Sequence, residues 1–102
     1  MIQNIYTIFD SAAQANLTPF FLPTDAMALR TFTQCVNDPS HAFSQAPNDY
    51  VLYKLGEFDN ERGTFEIPIT PINLALGSML TTLNSPVDYD IDPSDPNLEA
   101  IN

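Results

Sequence analysis

The hydrophobic pattern along the chain changes period several times, and each change predicts an element. Residues 2–10, IQNIYTIFD, alternate: Ile5, Thr7 and Phe9 fall on one side, Tyr6 and Ile8 on the other. That alternation, in a β-branched and aromatic stretch, predicts a strand. Residues 11–23, SAAQANLTPFFLP, break it. Pro19 and Pro23 bracket Phe20, Phe21 and Leu22 there, which predicts an edge strand or extended arm rather than a helix. The period becomes helical over 24–39, TDAMALRTFTQCVNDP, with Leu29, Phe32 and Val36 on one face and Ala26 and Thr33 alongside. Thr24 can cap the first free N–H groups, Asp25 suits the positive end of the helix dipole, and Pro39 ends the run.

Residues 38–49 are loop chemistry, and alternation resumes in YVLYKLGEF, residues 50–58. DNERG then predicts a five-residue hairpin link to a partner strand over 64–69, TFEIPI. Thr70 and Pro71 resemble a helix start, and Ile72, Leu76, Met79, Leu80 and Leu83 follow at helical spacing, with Gly77 as a weak spot. PVDYDI, residues 86–91, reads as one more short strand. The order predicts an α+β fold: a small antiparallel sheet with one or two helices packed on one face, in a split β-α-β arrangement. Residues 1–83 read as one domain with 11–23 as an extended arm, and residues 84–102 as a largely disordered acidic tail.

Charge changes the picture more than composition does. Thirteen acids stand against Arg30, Lys54 and Arg62, for a net charge of −10, and residues 84–102 supply half of it. Tight binding to nucleic acid normally runs on clustered Lys and Arg that displace counterions. Three cations are too few for that, so any DNA contact would rest on stacking, on oligomer symmetry, or on a partner. The chain has no apolar run of the roughly 18–20 residues that crosses a bilayer. It also begins without a basic signal region, so neither membrane insertion nor secretion is expected. A single cysteine, Cys35, suits a reducing compartment.

The candidate chemistries are few. Asp88, Asp90, Asp92 and Glu99 match positions 1, 3, 5 and 12 of an EF-hand calcium loop, but Pro93 occupies the place where glycine makes the sharp turn. The expectation is a solvated tail. Cys35 and His41 are too few for zinc and lack an orienting third group for nucleophilic catalysis, and no serine lies in a G-x-S-x-G context. No phosphate-cradling glycine loop is present either. Enzymatic activity, a cofactor and a bound metal are therefore not expected. Arg30 has no acid at i±4, and reads first as the partner of a carboxylate elsewhere, second as a ligand contact. Lys54 lies among Tyr50, Tyr53 and Phe58; such residues are more often core, but interleaved with a cation they could form a base-stacking platform. Phe20 and Phe21 pack home or cover a neighbouring subunit, and the second case makes a homodimer the expected state.

The segments YTIFDSAAQA (6–15), PFFLPTDAMALRTF (19–32) and Asp49 to Phe58 resemble one family, the small nonstructural protein of gokushovirus-type microviruses, which are single-stranded DNA phages. The similarity spans most of residues 5–76. It implies a protein of the host bacterial cytoplasm that binds DNA or assists the switch from duplex replication to single-stranded genome synthesis. Phe20, Phe21, Arg30, Tyr50, Tyr53 and Gly56 are the positions of the shared motif, and no catalytic signature comes with them. The partners implied are single-stranded DNA or, as the alternative, a host or viral replication protein engaged by an acidic adaptor that mimics nucleic acid. The charge of −10 departs from what a DNA-binding role leads one to expect.

Overall fold

The computed structural model describes residues 1–82. The tail at 84–102, its calcium-loop pattern, the strand expected over 86–91 and Leu83 lie outside the described residues. Six strands form one antiparallel sheet: β1 (Ile2–Asp10), β2 (Ala15–Asn16), β3 (Phe20–Leu22), β4 (Tyr50–Asp59), β5 (Thr64–Glu66) and β6 (Ile72–Leu76). Helix α1 (Asp25–Asn37) and the short α2 (Ala42–Gln45) lie between β3 and β4. The fold is α+β, as the pattern predicts.

β1 and β4 are the long central pair. On the outer side of β1, β2 pairs with Phe9 and Asp10, and β3 with Asn4, Ile5 and Tyr6. On the outer side of β4, β5 pairs with Glu57, Phe58 and Asp59, and β6 with Val51 to Lys54. Each edge is therefore one column broken in two. The predicted arm is an edge strand, as one of its two readings had it. The split β-α-β unit is present, but β3 rather than β1 opens it. β3 and β4 both run antiparallel to β1, so they are parallel to each other with β1 between them.

Two elements differ from expectation. No helix forms at 70–80; Ile72–Leu76 is β6, followed by a 3-10 turn at Gly77–Leu80. The unpaired inner half of β4 needs backbone partners, and Ile72 to Leu76 supply them. Gly77 is packed so closely that an added Cβ would lie 2.5 Å from the Pro47 carbonyl oxygen. The hairpin partner also ends at Glu66 rather than residue 69. Pro68 lacks an N–H for the ladder, and residues 67–71 leave the edge before β6 rejoins it.

Alternation decides which side chains meet α1. Tyr6, Ile8 and Leu52 point to the helix side and pack against Ala28, Phe32 and Val36. The helix face is as predicted except that Ala28 is buried where Ala26 was expected, and Leu29 is half-buried. Thr24 Oγ1 accepts from the Met27 N–H at 3.2 Å, the anticipated cap. Three aspartates close turns in one way: Asp10, Asp38 and Asp59 each accept from the backbone N–H two residues on. β4 then changes phase. Tyr6 pairs with Lys54 and Ile5 with Gly56, so Leu55 is an extra residue in a β-bulge. Beyond it, Glu57 and Asp59 take the helix side and Phe58 the other.

Two substitutions test this architecture. Phe32→Ala removes a ring that is 2 % exposed, and urea unfolding should show a loss of about 3–5 kcal/mol. Gly56→Ala would set a Cβ 2.5 Å from the Glu66 carbonyl oxygen and 2.6 Å from Ile67 Cδ1. The strain should cost about 1–3 kcal/mol, and hydrogen exchange should quicken at β5 before it does at β1.

Candidate interaction surfaces

The structure separates the residues that the sequence placed together. Tyr50 lies on the helix side and stacks on Phe43, centroids 4.3 Å apart. Lys54 shares that side, while Tyr53, opposite Thr7, faces the other way. Lys54 Nζ sits 3.6 Å from Asp25 Oδ1 and 3.7 Å from Glu57 Oε2, with its side chain 16 % exposed. The platform of Tyr50, Tyr53 and Lys54 does not form, because strand alternation puts its members on two faces and its cation is held between carboxylates. Phe20 and Phe21 are divided likewise. Phe20 packs on Tyr6 at 5.6 Å, and Phe21 meets Phe58 edge-on at 6.2 Å. Arg30 is exposed on α1, and no carboxylate lies within ion-pair distance of it among the described residues.

Lys54 belongs to a polar cluster where the start of α1 meets the sheet. The Tyr6 hydroxyl donates to Asp25 Oδ1 at 2.6 Å, and Asn4 Nδ2 approaches the same oxygen at 3.5 Å. Burial raises the Tyr6 phenol well above its ordinary value of 10.0, and the hydrogen bond to Asp25 adds to it. The cluster joins β1, β4 and α1. Every one of its charges already has a partner.

Cys35 and His41 make no paired site. Burial, then Asp38, pushes the Cys35 thiol up, away from the thiolate a nucleophile needs. His41 Nδ1 accepts from the Phe43 N–H at 3.1 Å and so caps α2. Cys35 lines a crevice of about 250 Å³ with Phe20, Phe32 and Phe43. Among the described residues no group of three or more His, Cys, Asp or Glu is placed to hold a metal ion. Nor, among them, is any helix long and apolar enough to cross a membrane.

The surface that sequence reading missed is the side of the sheet away from α1. Ile5, Thr7 and Phe9 of β1, Phe21 of β3, Val51, Tyr53, Leu55 and Phe58 of β4, and Phe65 of β5 point there. Charged strand residues are all on the helix side: Asp10, Lys54, Glu57, Asp59 and Glu66. An antiparallel sheet with one covered face ordinarily turns polar residues outward on the other. Here the pattern is inverted. Phe58 and Phe65 stack at 4.9 Å, and Phe21, Phe65 and Ile67 are 46, 59 and 61 % exposed. Beside them runs a groove of about 690 Å³ lined by Ile5, Phe21, Leu55, Phe65 and Ile67. Periodicity alone puts Phe58 on the side of Lys54; the Leu55 bulge reverses that, and no local signal announces the bulge.

A family model described as Phage ORF5 protein matches residues 3–80. The chain belongs to that family. The match runs from β1 through the 3-10 turn, so it takes in the polar cluster and both faces of the sheet. Membership of the Phage ORF5 family makes this a phage protein. Neither the curated proteins nor the solved structures contain a match to it.

The polar cluster generates one prediction. Tyr6→Phe should cost about 1.5–3 kcal/mol, the usual worth of a hydrogen bond to a charged group. Because the folded-state pKa of Tyr6 is raised, its contribution is full below the ordinary value of 10.0 and is lost as pH climbs through the folded value. Urea midpoints of the parent should therefore fall above pH 10, with a shallower fall in Tyr6→Phe.

Proposed function

We propose that this phage protein is a non-enzymatic accessory of viral DNA replication. In this reading it works in the host bacterial cytoplasm as an acidic adaptor, holding a basic replication protein of the phage or the host. The observation that supports this most is the fate of the cations. Lys54 is held between Asp25 and Glu57, and Arg62 Nε lies 3.9 Å from Asp59 Oδ2. Among the described residues Arg30 alone of the three has no ion pair, and the chain's net charge is −10. Such a surface repels phosphate and attracts clustered Lys and Arg. The replication role itself draws on the resemblance of residues 5–76 to microvirus nonstructural proteins.

One observation favours a second reading. Phe21 and Phe65 expose their rings on a surface without acids, and bases of single-stranded DNA could stack there.

Fluorescence anisotropy separates the two. A labelled oligothymidylate at low salt should not bind at micromolar protein. The purified initiator of phage replication should bind, with an affinity that falls steeply as salt is raised. Saturable oligonucleotide binding, weakened by Phe65→Ala, would replace the adaptor with a stacking protein.

A further inference from the structure

We propose that two copies of the chain pack open face to open face. The result is a sandwich of two sheets with the α1 helices outside, centred on Phe21, Phe58 and Phe65.

The chemistry of the face selects this occupant. It carries no cation for phosphate and no carboxylate for a basic partner; every charged strand residue is on the helix side. A partner recognised by charge finds nothing there. A second copy brings the same uncharged, aromatic surface.

The face is also complementary to itself. Ile69, in the 67–71 excursion, is 102 % exposed and forms part of the lip of the groove of about 690 Å³ that Phe21, Leu55 and Phe65 also line. A two-fold axis would set the Ile69 of each copy towards the groove of the other, the reciprocal contact of an isologous interface. The middle of β1 is already covered on this side, Ile5 and Thr7 being 6 and 1 % exposed, so the contact gathers at the end of the face that carries Phe21, Phe65, Ile67 and Ile69.

Edge-to-edge pairing is the other way for sheets to associate, and this chain obstructs it. Both edges are broken into pieces of two to five residues. Pro19 and Pro23 flank β3, and Pro68 and Pro71 lie between β5 and β6. Face packing leaves the acidic helix sides pointing outward. Two stacked sheets are ~10 Å apart, so the like charges lie beyond that distance. The Debye length is ~8 Å at physiological ionic strength. Salt should therefore strengthen the dimer, the opposite of its effect on binding a basic partner or DNA. The dimer also does not depend on the adaptor reading.

The test is sedimentation of the full chain at micromolar concentration, in low and high salt. The expected species has twice the 11.3 kDa chain mass, with a dissociation constant that falls as salt rises. The double variant Phe65→Glu with Ile69→Glu changes side chains that are 59 and 102 % exposed, so it should keep its circular dichroism yet sediment as a monomer. Met79→Glu, 65 % exposed in the 3-10 turn, should leave the dimer intact. A monomeric parent, or a dimer that survives the double variant or is lost in Met79→Glu, would overturn the proposal. A photo-crosslinking residue in place of Phe65 names the occupant directly. Capture of a second copy is expected. Capture of residues 83–102 of the same chain, or of an added oligonucleotide, would give the face to the tail or to DNA instead.

Discussion

The β-bulge at Leu55 is the constraint on which the rest of the sheet depends. One extra residue in β4 reverses the side on which every later side chain of that strand falls. It sends Glu57 back to Lys54, where it completes the polar cluster, and turns Phe58 towards Phe21 and Phe65. Gly56, with no side chain, lets the end of β5 and Ile67 close over the irregularity. Without the bulge, Phe58 would be driven towards the helix and Glu57 out onto the apolar face. The separation of charge from aromatic surface therefore hangs on one misaligned residue pair.

That separation gives the molecule two unlike sides. On one, Tyr6 inserts a buried ring into the core while its hydroxyl holds Asp25 at the start of α1, and Lys54 neutralises the carboxylates around it. The cluster is satisfied internally, and among the described residues no buried side-chain polar atom lacks a partner. On the other, uncharged side leans a row of phenylalanines. Lys54 and Arg62 lie beside the chain's own carboxylates, and the apolar strand surface is clear of charge.

The two features act in opposite directions under salt. Charge-driven capture weakens as the Debye length shortens, while apolar association between like-charged copies strengthens. The proposed dimer would present two acidic sides, pointing away from each other, so it would not compete with the proposed adaptor role for one surface.

Much of this was present in the order of the residues, and the rest was not, for a physical reason. The strand at 2–10, the capped helix from Thr24 and the edge segment at Phe20–Leu22 follow from local chemistry: alternation, a capping hydroxyl and flanking prolines. The shortage of cations, and with it the case against conventional DNA binding, was a matter of counting. Ile72 to Leu76 carried a helical spacing yet became a strand, because the open edge of β4 offered a ladder of hydrogen bonds that no local period reveals. Lys54 and Tyr53 are adjacent in sequence and were separated because neighbours in a strand point to opposite sides. Phe58 and Phe65 gained their place only through the bulge at Leu55, which exists by virtue of the strand lying opposite. The sequence by itself determined the elements that arise from contacts between near neighbours; the tertiary structure decided the faces, because register is a relation between two strands and is written in neither alone.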